Sequence, residues 1–174
     1  KLRQLKEECV ENRVGKVVCT GDFFNRSQTT ISFLNKLIKV LNEFKEENID
    51  FYTVIGNHDL PRNNYEFFQN TPLNILMGSG MVYFLDLESP LHIGDNVSIY
   101  GLSFNKQEEF RQGIDYIDTD FNVLVAHAVI DERWEEIDKI HIEELNDFNL
   151  VVLGHDHTYF KPIVLNNEKQ TMVL

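Results

Sequence analysis

The chain has 174 residues, of which 43% are apolar and 25% charged, and its formal net charge is −12. The length and composition are those of one globular domain with a sizeable core, and the negative charge argues against a broad basic face for simple nucleic-acid binding. Chemistry on phosphates is not excluded, because bound cations can reverse the local field of an acidic protein.

The two cysteines, Cys9 and Cys19, do not suggest a disulfide framework, so we expect a reducing cytoplasm as the compartment. Cys19 lies inside an apolar run and is expected to be a buried small hydrophobe. No apolar run approaches the ~18 residues that a membrane span needs, and no signal peptide is recognisable. We therefore expect no membrane partner.

The first half of the chain alternates helical and strand patterns. In chain order, the predicted elements are a surface helix over 2–14, a short buried strand over 16–20, a core helix over 31–44 and a strand over 51–55. Apolar residues at helical spacing predict the core helix, and Ser27 or Thr30 can cap its start. Strand, helix, strand in this order predicts a βαβ unit with parallel strands.

The second half has shorter elements. In chain order, we predict a helix over 65–70, strands over 82–87 and 97–104, a helix over 106–112, a buried strand over 122–126, charged helical patterns around Trp134 and His141, a buried strand over 150–153 and a β-rich stretch over 160–165. Helical and strand patterns intermix without a repeat or linker. The sequence therefore predicts one α/β domain over residues 1–174.

Polar residues of one chemical type follow four of the predicted strands. In chain order they are Asp22, Asn57-His58-Asp59, His127 and His155-Asp156-His157. Ligands of open α/β sheets bind outside the carboxyl ends of the strands, so these side chains converge if the strands share one direction. Their oxygen and nitrogen donors suit a divalent cation such as manganese, iron or zinc. Neither cysteine belongs to the set, which argues against a thiolate-rich structural zinc site.

Each of these residues also has an ordinary structural interpretation. Gly21-Asp22 is a common turn, and a lone His127 is more often a core histidine than a ligand. The joint pattern favours a metal site, because four of the six histidines lie at the ends of apolar strands. The other two, His92 and His141, are predicted to be surface residues.

Together, Gly21-Asp22, Gly56-Asn57-His58-Asp59, His127 and Gly154-His155-Asp156-His157 resemble the ordered motifs of calcineurin-like metallophosphoesterases. The resemblance covers nearly the whole chain. Within that superfamily, the segment 56–80, with Leu60-Pro61-Arg62 after the motif, looks most like SbcD-type DNA repair nucleases. The resemblance implies a two-sheet sandwich flanked by helices (a four-layer αββα arrangement) and a metal-dependent phosphoesterase that hydrolyses phosphodiester bonds in DNA.

The resemblance also implies a role for each metal ligand. Asp22 would bridge two divalent metal ions, which we expect to be Mn²⁺, with Fe²⁺ or Zn²⁺ as alternatives. Asn57, His127 and His155 would complete one metal site, and His157 would join the other. A hydroxide shared by the two metals would attack phosphorus in line with the leaving oxygen.

By the same resemblance, His58 would be the acid that protonates or stabilises the leaving oxygen. The family usually has Asp three residues after the bridging Asp, where it orients this histidine, but here Asn25 takes that place. An amide accepts a hydrogen bond without adding charge, so we expect His58 to be a weaker base than with an Asp partner. Arg62 and Tyr159 follow the metal motifs and are candidate phosphate contacts.

One motif of the family is missing, because no Asp-x-His precedes Asp22. The simplest interpretation is that the sequence lacks its native N-terminal strand and C-terminal end. The alternative is a protein that has lost one metal site.

By resemblance, the expected partners are DNA, an SbcC-like ATPase subunit and a second copy of the chain. Two other functions compete with the nuclease. One is a phosphatase or cyclic-nucleotide phosphodiesterase acting on a small substrate, which the acidic charge favours. The other is a metal-depleted scaffold that binds a partner protein, and the near-complete ligand set speaks against it.

Overall fold

The computed structural model describes residues 1–113, 119–130, 139–156, 162–165 and 171–174. Over these residues the protein is a mixed α/β structure with one sheet of three strands and one of six, which confirms the predicted α/β class with two sheets. The chain divides into two compact units. The first contains residues 1–19, 23–53 and 58–84, and the second contains residues 20–22, 54–57 and 85–174.

The first unit is built around a parallel sheet. Its elements are α1 (Leu2–Glu11), β1 (Lys16–Cys19), α2 (Ile31–Glu46), β2 (Asp50–Thr53), two 3₁₀ helices (Pro61–Asn63 and Tyr65–Asn70), α3 (Pro72–Gly78) and β3 (Tyr83–Phe84). β2 lies in the middle and pairs in parallel with both β1 and β3. The predicted βαβ unit is therefore confirmed in β1, α2 and β2.

Helix α2 begins at one of the two predicted caps. The Oγ1 atom of Thr30 accepts the backbone N–H of Phe33 at 3.2 Å, which satisfies a donor that the first helical turn leaves without a partner. The helix buries Leu41 and Phe44. Phe44 meets Phe51 of β2 edge-on, with ring centroids 4.8 Å apart. This contact packs α2 against the sheet with a favoured aromatic geometry.

The second unit is built around the six-stranded sheet. Its elements are β4 (Leu91–Ile93), β5 (Val97–Leu102), α4 (Gln107–Arg111), β6 (Phe121–His127), a 3₁₀ helix (Ile142–Leu145), β7 (Leu150–Gly154), β8 (Ile163–Val164) and β9 (Met172–Val173). The strand order is β4-β5-β6-β7-β9-β8. Strands β5, β6, β7 and β9 are parallel, and the edge strands β4 and β8 pair antiparallel with their neighbours.

The centre of this sheet forms the core of the second unit. Tyr100 of β5, Leu124 of β6 and Val151 of β7 are fully buried, together with Phe148 before β7. Parallel strands covered on both faces have continuous apolar runs rather than alternation, which is why their sequences predicted buried strands.

Some features of the fold differ from the predictions. The sequence patterns do not predict α3 or β4, and the strand predicted over 82–87 is only Tyr83–Phe84. Cys19 is half-buried rather than buried, whereas Cys9 is the buried cysteine, because it lies on the inward face of α1. Burial, with a smaller contribution from the charge of Glu8, raises the pKa of the Cys9 thiol. Within the part of the chain that the structure describes, no helix is long and apolar enough to cross a membrane.

Candidate metal centre

Four of the predicted metal ligands lie in the second unit. Residues 20–22 follow β1 and residues 54–57 follow β2, yet both segments belong to this unit. His127 is the last residue of β6, and His155 directly follows β7. The preceding strands therefore belong to two sheets.

The donor atoms of three of these predicted ligands lie close together. His127 Nε2 lies 3.1 Å from Asn57 Oδ1 and 3.1 Å from His155 Nδ1. The distance between His155 Nδ1 and Asn57 Oδ1 is also 3.1 Å. The carboxylate oxygen Oδ1 of Asp22 lies 3.5 Å from His127 Nε2. The structure thus brings together four residues that the sequence spreads over more than 130 positions.

The spacing of these atoms fits a shared cation. Donors bound at about 2.1 Å to one divalent metal lie about 3.0–3.4 Å from each other, which is the separation found in the cluster. The described residues contain no group of three His, Cys, Asp or Glu side chains that could hold a metal. The close cluster combines two imidazole nitrogens with the amide oxygen of Asn57.

The hydrogen bond of His127 fixes which ring nitrogen faces the cluster. Its Nδ1 lies 2.7 Å from the carbonyl oxygen of Thr20, and a carbonyl only accepts, so Nδ1 must carry the proton. In the neutral ring Nε2 then presents a lone pair to Asn57 Oδ1, which is also an acceptor. Two acceptors at 3.1 Å repel each other unless a positive charge lies between them. A hydrogen bond from the other ring nitrogen, such as that of His127 Nδ1 to the Thr20 carbonyl, is the usual way to orient a metal-binding histidine.

Two glycines of the family-like motifs allow the loops to approach closely. A Cβ atom on Gly56 would collide with the backbone N and the Oδ1 of Asp22, and one on Gly21 would collide with the ring of His127. Gly21 also has φ of +90°, which favours glycine. These positions need glycine because any side chain would push the ligands apart.

Two of the predicted ligands have unusual backbone conformations. Asp22 has φ of +49° and His155 has φ of +94°. Non-glycine residues rarely adopt positive φ, and the value at His155 lies outside the usual left-handed region. Such strain is concentrated at functional sites, where the surrounding structure holds it.

The residues around the predicted acid lie in the first unit. His58 is an exposed side chain in a 3₁₀ helix (Asn57–Asp59). The next residue, Asp59, is 1% exposed. Its Oδ2 accepts the backbone N–H of Phe23 at 3.2 Å, and its Oδ1 accepts that of Phe24 at 3.0 Å. Asp59 therefore fastens the chain after Asn57 to the chain after Asp22, a role that its place in the motif did not reveal.

The structure does not test the roles predicted for the other site residues. Asn25 and Arg62 are both exposed, and Arg62 has φ of +55° in a 3₁₀ helix. The pairing of Asn25 with His58 stays a prediction. His157 and Tyr159 lie outside the described residues, as does Trp134.

Most of the chain matches one known protein family. The profile described as calcineurin-like phosphoesterase matches residues 1–159. The chain belongs to this family. Calcineurin-like phosphoesterases generally use divalent metals, which agrees with the donor set of the candidate centre. The family resemblance that the motifs indicated is confirmed.

Curated relatives in this family include archaeal proteins named DNA double-strand break repair protein Mre11. The chain is 25% identical over 168 residues to the protein of Methanococcus maripaludis, which covers 90% of this chain and 45% of that protein. It is 30% identical over 99 residues to the protein of Saccharolobus solfataricus, which covers 57% of this chain and 25% of that protein. The chain thus spans less than half the length of these relatives.

One solved crystal structure resembles the whole chain in fold. Its TM-score is 0.54 at 14% sequence identity, and the match covers 99% of this chain and 83% of that one. This likeness supports the two-sheet α/β fold.

Proposed function

We propose that this protein is a metal-dependent phosphodiesterase that cleaves DNA. The observation that supports the proposal is the cluster of Asn57, His127 and His155, whose donor atoms lie 3.1 Å apart in pairs. A divalent cation bound among these atoms would satisfy all three donors at once, and the family is one of phosphoesterases. Asp22, whose carboxylate lies 3.5 Å from His127, would be the ligand shared with a second cation.

Bound divalent cations would supply a nucleophile from water near neutral pH and offset the charge that develops on the phosphate. The chain's own part is to hold the donors in place. The carbonyl of Thr20 keeps the proton of His127 on Nδ1, so that Nε2 can bind a metal. His157 would supply a ligand to the second cation. We expect Mn²⁺ as the occupant, with Fe²⁺ or Zn²⁺ as alternatives, because nitrogen and oxygen donors suit all three.

His58 would hold the proton that the leaving oxygen receives. Its imidazole is exposed, and it follows the ligand Asn57 directly in the chain. An exposed imidazole with a backbone fixed by its neighbours can donate a ring N–H to a bound phosphate ester. Asn25 would orient this ring, and Arg62 and Tyr159 would contact the phosphate.

The relatives' name supports DNA as the substrate, because they are called double-strand break repair proteins. The segment 56–80, which resembles SbcD-type nucleases, points to the same substrate and to an SbcC-like ATPase subunit as partner. We also propose that the protein forms a homodimer and is located in the cytoplasm.

A second candidate function is hydrolysis of a small phosphoester, as by a phosphatase or cyclic-nucleotide phosphodiesterase. The formal net charge of −12 favours it, because a long polyanion is repelled by an acidic surface outside the metal centre. The donor set serves both candidates equally well.

One experiment separates the candidates. The protein is purified, stripped of metal and titrated with Mn²⁺, and it is then offered a phosphomonoester, a small phosphodiester and DNA with free ends. Asn57→Ala should weaken Mn²⁺ binding, whereas His58→Ala should keep Mn²⁺ binding and abolish cleavage. His92→Ala is the matched control, because this histidine lies on β4 and its Nδ1 pairs with Ser98 Oγ at 3.1 Å.

Cleavage of DNA that His58→Ala abolishes and His92→Ala preserves would support the nuclease. Cleavage of small esters alone would replace it with the second candidate. A protein that binds no Mn²⁺ and cleaves nothing would overturn both and leave the scaffold.

A further inference from the structure

A fifth strand end contributes to the metal centre without supplying a ligand. Ser103 and Phe104 directly follow β5 and are 4% and 8% exposed. The backbone N–H of Ile55 donates to Ser103 Oγ at 2.9 Å, and the N–H of Phe104 donates to the carbonyl of Ile55 at 2.8 Å. Both backbone polar groups of Ile55 are thus bonded to residues 103–104. Since Ile55 lies two residues before Asn57, these bonds fix the segment that carries the amide ligand.

The side chain of Phe104 also contacts both histidines of the cluster. Its ring centroid lies 5.7 Å from that of His155 at an interplanar angle of 49° and 6.3 Å from that of His127 at 71°. Tilted and edge-on arrangements at these distances are favoured between aromatic rings. The two imidazoles lie 4.9 Å apart at 62°. Phe104 therefore forms a common wall against which both rings pack.

We propose that Ser103 and Phe104 are positioning residues of the metal centre, which together hold Asn57, His127 and His155 in metal-binding geometry. This inference rests on the proposed function, because it concerns the same cluster. Neither residue needs to touch the metal or the substrate.

The physical reason is that the terminal torsion of an imidazole has a broad and roughly two-fold energy profile. The bond to Thr20 restricts the ring of His127. Contact with the ring of Phe104 also restricts rotation of both imidazoles toward that ring. A smaller side chain at position 104 would leave room for the rings to turn. Residues that orient metal ligands typically contribute 10–100-fold to metal affinity.

The test compares two identical substitutions. Phe104→Leu removes the aromatic wall, and Phe110→Leu removes a phenylalanine of similar burial that stacks on Phe148 instead of on the two imidazoles. Phe104→Leu should weaken Mn²⁺ binding about tenfold or more. Phe110→Leu should leave Mn²⁺ affinity within about twofold of wild type. Thermal unfolding checks that both variants are folded.

Ser103 gives a second, independent comparison. Ser103→Ala removes the acceptor for the Ile55 N–H and should also weaken Mn²⁺ binding. Ser103→Thr keeps a hydroxyl at this position and should restore most of the lost affinity. If Ser103 affected only the stability of the fold, Ser103→Ala and Ser103→Thr would have the same affinity for Mn²⁺.

A measurement without metal separates this inference from the proposed function. In the metal-free protein, Phe104→Leu should shift the imidazole NMR resonances of His127 and His155 and speed solvent exchange of the His127 Nδ1 proton, whereas Phe110→Leu should not. If wild-type protein binds no Mn²⁺, the proposed function fails, but the NMR comparison still decides whether Phe104 positions the rings. Equal Mn²⁺ affinity and equal imidazole spectra in the two variants would overturn the inference.

Discussion

The buried carboxylate of Asp59 offers a sharp test of how the ligand-bearing segments are held. It accepts the backbone N–H groups of Phe23 and Phe24, one on each oxygen, at 3.2 and 3.0 Å. Asp59→Ala removes both acceptors, and Asp59→Asn keeps one oxygen but replaces the other with an N–H₂ group that must face a donor. The matched control is Asp86→Asn, because Asp86 accepts the N–H of Ser89 in an exposed turn.

The expected loss of stability follows from the number and burial of the bonds. Hydrogen bonds to a charged group contribute roughly 1.5–3 kcal/mol each, and a buried N–H left without an acceptor costs about 1–3 kcal/mol. Phe24 is buried at 6% exposure, so its N–H is the costlier of the two to leave without a partner. We expect Asp59→Ala to lower the free energy of unfolding by about 3–5 kcal/mol and Asp59→Asn by about half of that. The exposed turn at Asp86 should lose less than about 1 kcal/mol.

Urea unfolding at 15 °C measures these losses, and amide hydrogen exchange at Phe23 and Phe24 shows whether the same two bonds are responsible. Both amides should exchange faster in Asp59→Asn and Asp59→Ala than in wild type. If Asp59→Ala unfolds at the same urea concentration as Asp86→Asn, and the two amides keep their protection, the carboxylate does not hold this segment.

Two further predictions concern other parts of the chain. Gly56→Ala should weaken Mn²⁺ binding about tenfold or more and destabilise the fold by about 1–3 kcal/mol, because its Cβ would collide with Asp22. Gly78→Ala should do neither, because the new Cβ there meets no atom within 4 Å. Equal Mn²⁺ affinity in the two variants would contradict the steric argument. Burial by itself would raise the pKa of Glu144, but the bonds from Arg111 and from the backbone N–H of His141, with the charge of Arg111, lower this pKa below its ordinary value of 4.5. Its contribution is therefore present above the unfolded pKa and is lost as pH falls through the folded pKa. Glu144→Gln should lower the melting temperature by a small amount near pH 7, consistent with a partly exposed pair that contributes less than about 1 kcal/mol. The difference should shrink as pH falls through the folded pKa of Glu144, and a difference independent of pH would refute the argument.

The element order was largely predictable because the patterns that carry it are local. Helix α2 shows helical spacing over four turns, and its cap at Thr30 is one of two candidates in the sequence. Strands β6 and β7 are continuous apolar runs, as expected for buried parallel strands. The short strand β4 has too few residues to show a period, so it depends on pairing with β5.

The chemistry of the candidate centre was also predictable, since residue types and their order are properties of the sequence. The acidic, amide and imidazole side chains after four strands indicated a metal site, and their order indicated the calcineurin-like phosphoesterase family, which the family comparison confirms. The individual metal ligands remain predictions to be tested by titration.

What only the tertiary structure decided is how these residues are held. Nothing in the sequence indicates that the carbonyl of Thr20 sets the tautomer of His127, because that bond joins residues 107 positions apart. Nor does it show that Phe104 packs against two imidazoles, since an apolar residue at the end of a strand is expected to be core. The sequence by itself determined which donor atoms this protein has. The tertiary structure decided their spacing, because distances of 3.1 Å arise only when segments distant in the chain pack together.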